Sequence, residues 1–173
     1  MRIIPQIRPA VLADVEILAD LAARTFYDAF ADMNTPENIR AYISQAFSIS
    51  QLASEIKDSL SRFLIAEVDG IPAGYAKLRS GSTPGAIVGA KPIELVRLYV
   101  DRKFLGSGVG NDLMQACIDE ARNLGHRTIY LGVWEHNHRA QSFYFRWKFR
   151  VVGNQIFQMG DDLQLDWLME RDL

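Results

Sequence analysis

Apolar and polar residues follow two rhythms along this chain, and the rhythm predicts the elements. Val15, Leu18, Leu21, Ala22, Thr25 and Phe26 recur at steps of three and four, which predicts a helix over 14–30. Thr35-Pro36-Glu37-Asn38 reads as a helix start, with Thr35 capping and Pro36 at the first helical position. That helix should run to about residue 47, and a further helical stretch covers 50–60. Alternating or continuous apolar runs predict strands over 3–8, 63–68, 73–79, 93–100, 128–134, 149–159 and 163–169. Pro9 limits the first of these and argues for a position at or near a sheet edge. Asp69-Gly70 is a hairpin turn signal, Gly160-Asp161-Asp162 is another, and the Gly-, Ser- and Pro-rich stretch 80–89 reads as a loop. Helical spacing returns over 108–124, where Val109, Leu113, Ala116, Cys117, Ala121 and Leu124 share a face and Gly125 ends the helix. It returns again over 137–147.

The order is therefore a strand, helices, a β-meander, one β-α-β unit and a final α-β-β. That is a mixed α/β chain with a single crossover, not a repeated doubly wound sheet. With 173 residues it fits one domain, 1–173, and 49% hydrophobic residues supply an ordinary core. The net charge of −2 gives no footprint for nucleic acid, and no run is long enough to span a membrane. Cys117 is the only cysteine, so an internal disulfide and a cysteine-held zinc are both excluded. A reducing cytoplasm is the expected setting.

The chemistry concentrates after the fourth strand, in Lys103-Phe104-Leu105-Gly106-Ser107-Gly108-Val109-Gly110. A strand, a glycine loop and a helix in succession make an anion site. The first turn of a helix has unpartnered N–H groups, its dipole adds positive charge, and missing Cβ atoms let a pyrophosphate approach. Lys103 adds a cation and Ser107 a hydroxyl. No Gly-Lys-Ser/Thr ends the loop, so it is not a Walker loop. Its G-x-G-x-G spacing is a poor dinucleotide fingerprint, although Glu135 stands beyond the next strand where a ribose-binding acid is wanted. On these residues alone, a tight turn without a ligand stays open.

Downstream stands Asn137-His138-Arg139-Ala140-Gln141-Ser142-Phe143-Tyr144. With it, the chain resembles the GNAT superfamily of N-acetyltransferases. The family's Gln/Arg-x-x-Gly-x-Gly/Ala loop is matched by Lys103, Gly106 and Gly108. Its Asn-x-x-Ala-x-x-Phe-Tyr pattern is matched by Asn137, Ala140, Phe143 and Tyr144. Within the superfamily the chain looks most like the bacterial spermidine/spermine N-acetyltransferases, through Thr35-Pro36-Glu37, Leu95 to Val100, Gly132-Val133-Trp134-Glu135 and Gly160-Asp161-Asp162. Lys103 departs from the usual Gln or Arg and lacks the planar fork. Lys148 stands where the family has Gly, which implies a left-handed residue.

The resemblance implies a mostly antiparallel sheet of about seven strands, flanked by helices, with strands 4 and 5 splayed. It implies acetyl-CoA as co-substrate, no metal, a primary amine as acceptor, and a monomer or homodimer. Leu98 and Val100 would supply backbone groups to the pantetheine arm, and Tyr99 between them would belong to the same coenzyme-binding stretch. The amides from Leu105 to Gly110 would hold the pyrophosphate, Asn137 would hydrogen-bond the pantetheine, and Tyr144 would protonate the departing thiolate. Acceptors other than a polyamine, such as a protein N-terminus or an aminoglycoside, stay open, as does a coenzyme A-binding regulatory module without turnover. From the residues themselves, Glu94 is a candidate base, an acid in an apolar strand, or else an ion-pair partner of Arg97 or a neighbour. Tyr27, Phe30 and Trp134 are candidates to line an amine pocket, or else ordinary aromatic packing. Glu135, with Glu37, Asp161 and Asp162, is a candidate to attract a cationic acceptor. Cys117 reads as a packed core thiol.

Overall fold

A computed structural model describes residues 3–173. Seven strands form one sheet: β1 (Gln6–Pro9), β2 (Ser61–Val68), β3 (Ile71–Arg79), β4 (Pro92–Val100), β5 (Thr128–Trp134), β6 (Arg150–Met159) and β7 (Asp162–Asp172). Their spatial order is β1-β2-β3-β4-β5-β7-β6. Every neighbouring pair is antiparallel except β4 and β5, which are parallel. The helices are α1 (Val15–Phe30), α2 (Pro36–Ala46), α3 (Ile49–Lys57), α4 (Val109–Asn123) and α5 (His138–Arg146). Among the described residues, no helix is long and apolar enough to cross a membrane.

The expected elements are all present, and the differences at their ends have local causes. Thr35 Oγ1 accepts the Asn38 N–H at 3.2 Å, so α2 starts as its sequence implies. The helix expected over 50–60 instead begins earlier and stops at Lys57. Ser48 caps its start by accepting the Gln51 N–H, and Asp58 takes the Leu60 N–H and the Ser61 hydroxyl, which bends the chain into β2. Pro9 ends β1 as a strand residue, tolerated because β1 is the sheet edge. Asp162 belongs to β7 rather than to the turn, and β7 runs on to Asp172 because β5 pairs with it along its whole length. Lys148 takes φ +66°, and the Phe149 N–H closes back on the Tyr144 carbonyl, the left-handed helix exit that a glycine would normally supply.

The two faces of the sheet are packed differently. On the back, α4 lays Val109, Leu113, Met114, Cys117, Ile118 and Ala121 on an apolar core with Ile93, Leu95, Ile129 and Leu131. On the front, α1, α2 and α3 cover Leu18, Leu21, Phe26, Ile39, Phe47, Leu52, Ile65 and Tyr75. Burial pushes the Cys117 thiol up to about 12 on the back face, as suits a packed thiol rather than a nucleophile.

Candidate active site

The parallel β4–β5 pairing lasts only from Pro92–Thr128 to Glu94–Tyr130. β4 continues to Val100 and β5 to Trp134 without touching, so the strands splay into a gap beyond Glu94. At 3.3 Å per residue, the β4 edge of that gap is about 20 Å long. Its backbone donors and acceptors on the β5 side have no strand partner. A bulge sharpens the divergence. Lys77 pairs with Arg97 and Leu78 with Leu95, which leaves Val96 as an extra residue on β4. Beyond it, Leu98 and Val100 pack toward the back core, while the Tyr99 ring turns to the front, stacked 5.9 Å from Tyr75. Tyr99 therefore turns its ring away from a ligand lying against Leu98 and Val100, and its backbone faces Tyr75 of β3.

The loop that follows is fixed at its base by Asp101. Its Oδ1 accepts the Lys103 N–H at 2.9 Å, capping a short 3-10 turn at Arg102–Phe104. Its other oxygen receives the Arg24 guanidinium of α1, and its own N–H donates to the Ala73 carbonyl. Burial raises the Asp101 carboxyl's affinity for a proton, but the Arg24 and Lys103 donors outweigh it and hold the group below its usual range. Gly106 and Gly108 take φ +80° and +104°, where a Cβ would strain the turn, and Gly108 caps α4. The Leu105 and Ser107 amides close long bonds at 3.4 and 3.3 Å to Arg102 and Phe104, and the Ser107 hydroxyl donates to the Phe104 carbonyl. The Ser107 proton is therefore already committed inside the loop, and a ligand would meet its oxygen only as an acceptor. The amides of Gly106, Gly108, Val109 and Gly110 have no carbonyl partner among the described residues, so the loop's open donors are those four. Lys103 is exposed beside them. This is the donor set that a phosphate requires.

The second motif closes on the first. A Cβ at Gly110 would lie 3.5 Å from Val100 and 3.8 Å from Phe143, so β4, the first turn of α4 and α5 meet at this glycine. Asn137 caps α5, its Oδ1 accepting the Ala140 N–H at 3.2 Å, which leaves its Nδ2 hydrogens as donors. Ala140 and Phe143 pack on the back core. Trp147 Nε1 donates to Asn111, tying α5 to α4, and Gln141 holds the turn after β5 by donating to the Trp134 and Glu135 carbonyls. The Tyr144 ring lies between Phe143 and Phe149, at 5.5 and 5.7 Å. Burial, with a smaller contribution from Cys117, raises its phenol well above the usual range, so the hydroxyl keeps its proton at neutral pH.

The front side of the gap is less local. Glu94 stands at the root of the splay, with Arg79 and Tyr130 as its cross-strand neighbours. Burial raises its pKa, against the field of Lys77, Arg79 and Arg97. Arg97 is not its ion-pair partner. The Arg97 guanidinium donates to Glu55 of α3 at 2.6 Å, and Lys77 pairs with the same carboxylate at 2.8 Å. Phe30 and Trp134 meet at 6.2 Å, and Phe30 also reaches Tyr99 at 6.4 Å. Tyr27 does not join them. It is 56% exposed on the outer side of α1, one residue off the buried stripe that carries Phe26 and Phe30. Glu135 lies 3.6 Å from His136. Asp161 accepts from Asn38, Asp162 accepts from Gln164, and Glu37 lies 3.6 Å from Arg40. Asp161 thus docks the β6–β7 hairpin onto α2, while Asp162 bonds within β7.

Asp166, and the place of Gly132 beneath it, escape a reading of the sequence. Gly132 lies on β5 just past the last β4 pair and is exposed. A Cβ there would come 2.7 Å from Gln155 Nε2 and 3.3 Å from Asp166 Oδ2. Asp166 is cross-strand neighbour to Trp134 on one side and Gln155 on the other. Its carboxylate lies over the glycine, and burial raises its pKa to about 6. The available signal was an acid in the apolar run of β7, where alternation puts it on the same face as Leu168. Among the described residues, no group of three His, Cys, Asp or Glu side chains is arranged to hold a metal.

Comparison with known proteins agrees with this geometry. Residues 18–149 match the model of the Acetyltransferase (GNAT) family. An uncharacterized N-acetyltransferase from the pepI 3′ region of Lactobacillus delbrueckii subsp. lactis is 31% identical over 88% of both chains. The spermidine N(1)-acetyltransferase of Thermoplasma acidophilum is 26% identical over 84% of this chain and 88% of its own. Among solved structures, the PaiA N-acetyltransferase of Thermoplasma acidophilum, crystallised with coenzyme A, superposes with a TM-score of 0.78. It is 23% identical, over 98% of this chain and 99% of that one.

Proposed function

The chain belongs to the GNAT family of acetyltransferases, and from that membership we propose that it transfers the acetyl group of acetyl-CoA to a primary amine of a small molecule, a polyamine such as spermidine or spermine. The observation that carries this reading is the convergence on one gap of three separate segments. Unpaired β4 backbone, open amides at the start of α4, and the Asn137–Tyr144 face of α5 all meet around Gly110. The loop amides and Lys103 fit a pyrophosphate, and the unpaired edge from Leu95 to Val100 fits an arm carrying amide groups. The likeness to a spermidine acetyltransferase supports the polyamine.

The residues divide the work as follows. Gly106, Gly108, Val109 and Gly110 donate to the phosphates from the helix N-terminus. Leu98 and Val100 line the arm and exclude water, with Asn137 Nδ2 donating to it. A backbone N–H near Val100 meets the oxyanion that develops as the amine adds to the thioester carbonyl. Glu94, whose burial favours its protonated form, accepts the proton that the amine must lose, through water. Tyr144, kept protonated by burial, donates to the departing sulfur. The setting is the cytoplasm, in keeping with the single, buried thiol.

The test is thiol release from acetyl-CoA across spermidine, an aminoglycoside and a peptide N-terminus. The expected result is release with spermidine. Release only with the others would keep the reaction and replace the acceptor. Coenzyme A binding without turnover on any amine would make the chain a regulatory module.

A further inference from the structure

Resting on the reading just given, we propose that Asp166 is the carboxylate that binds an ammonium group of the acceptor, at the front mouth of the β4–β5 gap. The placement comes first. β5 separates the gap from β7, and at Gly132 that separating strand has no side chain. Asp166 reaches over this bare stretch of backbone and lies within contact distance of where a Cβ would be. Gly132 is also where β5 has just left β4, so the carboxylate sits beside the opening through which an acceptor would reach a thioester held along Leu98 and Val100.

The second point is availability. The acids of the neighbouring strands, of α3 and of the hairpin turn already have partners. Glu55 holds Lys77 and Arg97, Glu170 holds Arg150, Asp161 accepts from Asn38 and Asp162 from Gln164. Glu94 is faced by three cations, Lys77, Arg79 and Arg97. Asp166 has no donor and no ion-pair partner among the described residues, and its neighbours are Gln155, Trp134 and the phenol of Tyr42 on α2. A half-buried carboxylate without a cation is unfavourable in the empty protein, and its raised pKa reports that cost. An ammonium ion placed there removes the cost, because the charge becomes paired in a site where water screens it less.

The third point is the lining. Trp134, with Phe30 against it at 6.2 Å, places aromatic rings beside the carboxylate. Aromatic faces attract ammonium groups and pack the methylenes between them. A carboxylate flanked by rings selects a flexible aliphatic amine that is cationic at neutral pH, over a neutral or anionic acceptor. Asp166 thereby becomes a specificity-determining residue on the acceptor side, where sequence motifs were silent.

The experiment is calorimetric titration of spermidine into the coenzyme A-saturated protein, for the wild type, Asp166→Asn and Asp166→Glu. Coenzyme A affinity and the melting temperature are measured on each variant. The expected result is spermidine affinity lower by roughly tenfold or more in Asp166→Asn. Partial recovery is expected in Asp166→Glu, with coenzyme A affinity unchanged in all. Equal spermidine affinity in the wild type and Asp166→Asn overturns the assignment, as does a wild type that binds coenzyme A but no spermidine. Failure of the wild type to bind coenzyme A defeats the acetyltransferase reading instead. That outcome is separate, because it appears before any amine is added.

Discussion

The two sides of the β4–β5 gap are built on opposite principles. The back side rests on an apolar core and offers a ligand mostly backbone, namely the loop amides and the unpaired edge of β4. The front side rests on packed rings and buried ions and offers side chains, namely Glu94, Trp134, Phe30 and Asp166. Backbone recognition suits a group that does not vary between reactions, such as a pyrophosphate and its arm. Side-chain recognition suits a partner that does vary. A single fold can therefore keep its donor and change its acceptor by substituting a few front-face residues, which is how function comes to reside in sites grafted on a common frame.

The largest expected effect breaks the front side from below. Glu55 holds both Lys77 and Arg97 beneath α3, and Glu55→Gln leaves two cations without their counter-charge. The expected loss of stability is about 3–5 kcal/mol in urea unfolding, well beyond a surface pair. The same network sets an acid dependence. Burial works against the charged carboxylate, but Arg97 and Lys77 overcome it and lower the Glu55 pKa from 4.5 to about 2. A carboxylate whose folded pKa is depressed contributes stability that is complete above the unfolded value, here 4.5, and is lost as pH falls toward 2. The wild type should therefore lose stability across that window, and Glu55→Gln should show a flatter slope. An equal slope in both would remove the network from this account.

A smaller effect sharpens the comparison at the point where the sides meet. Tyr144→Phe removes the proposed proton donor and leaves the ring between Phe143 and Phe149. The turnover number should fall about 100-fold, or about 2.7 kcal/mol, with coenzyme A affinity within about twofold of the wild type. Unchanged turnover would assign the acid elsewhere. Equal losses in turnover and in coenzyme affinity would mean that the phenol binds rather than donates.

The same contrast explains how much the sequence revealed. Helix and strand positions are written in local periodicity, and Thr35-Pro36 and Gly125 mark helix ends by chemistry that acts within a few residues. The donor side is equally local. Gly106 and Gly108 are needed for their positive φ, and Asn137 caps the helix that carries Tyr144, so each residue type announces its structural part. The front side depends on which strands become neighbours. Nothing near Glu55 in the chain points to Arg97, 42 residues away, so a sequence reading could name Arg97 only as one alternative partner for Glu94. The bulge at Val96 is a register property of β3 and β4 together, and Tyr27 differs from Phe26 only by one step of helical rotation. Asp166 acquires meaning only when β7 is laid against β5 opposite Gly132 and Trp134.

The most direct test of the backbone-held donor is titration of coenzyme A into the isotope-labelled protein, followed by amide resonances. The account predicts that the N–H signals of Gly106, Gly108, Val109 and Gly110 move most, because those groups have no internal acceptor. Leu105 and Ser107, already bonded to Arg102 and Phe104, should move less, and Asp166 on the front face should stay still. Coenzyme A binding that leaves those four glycine-loop amides unperturbed, or that shifts the front face instead, would contradict it.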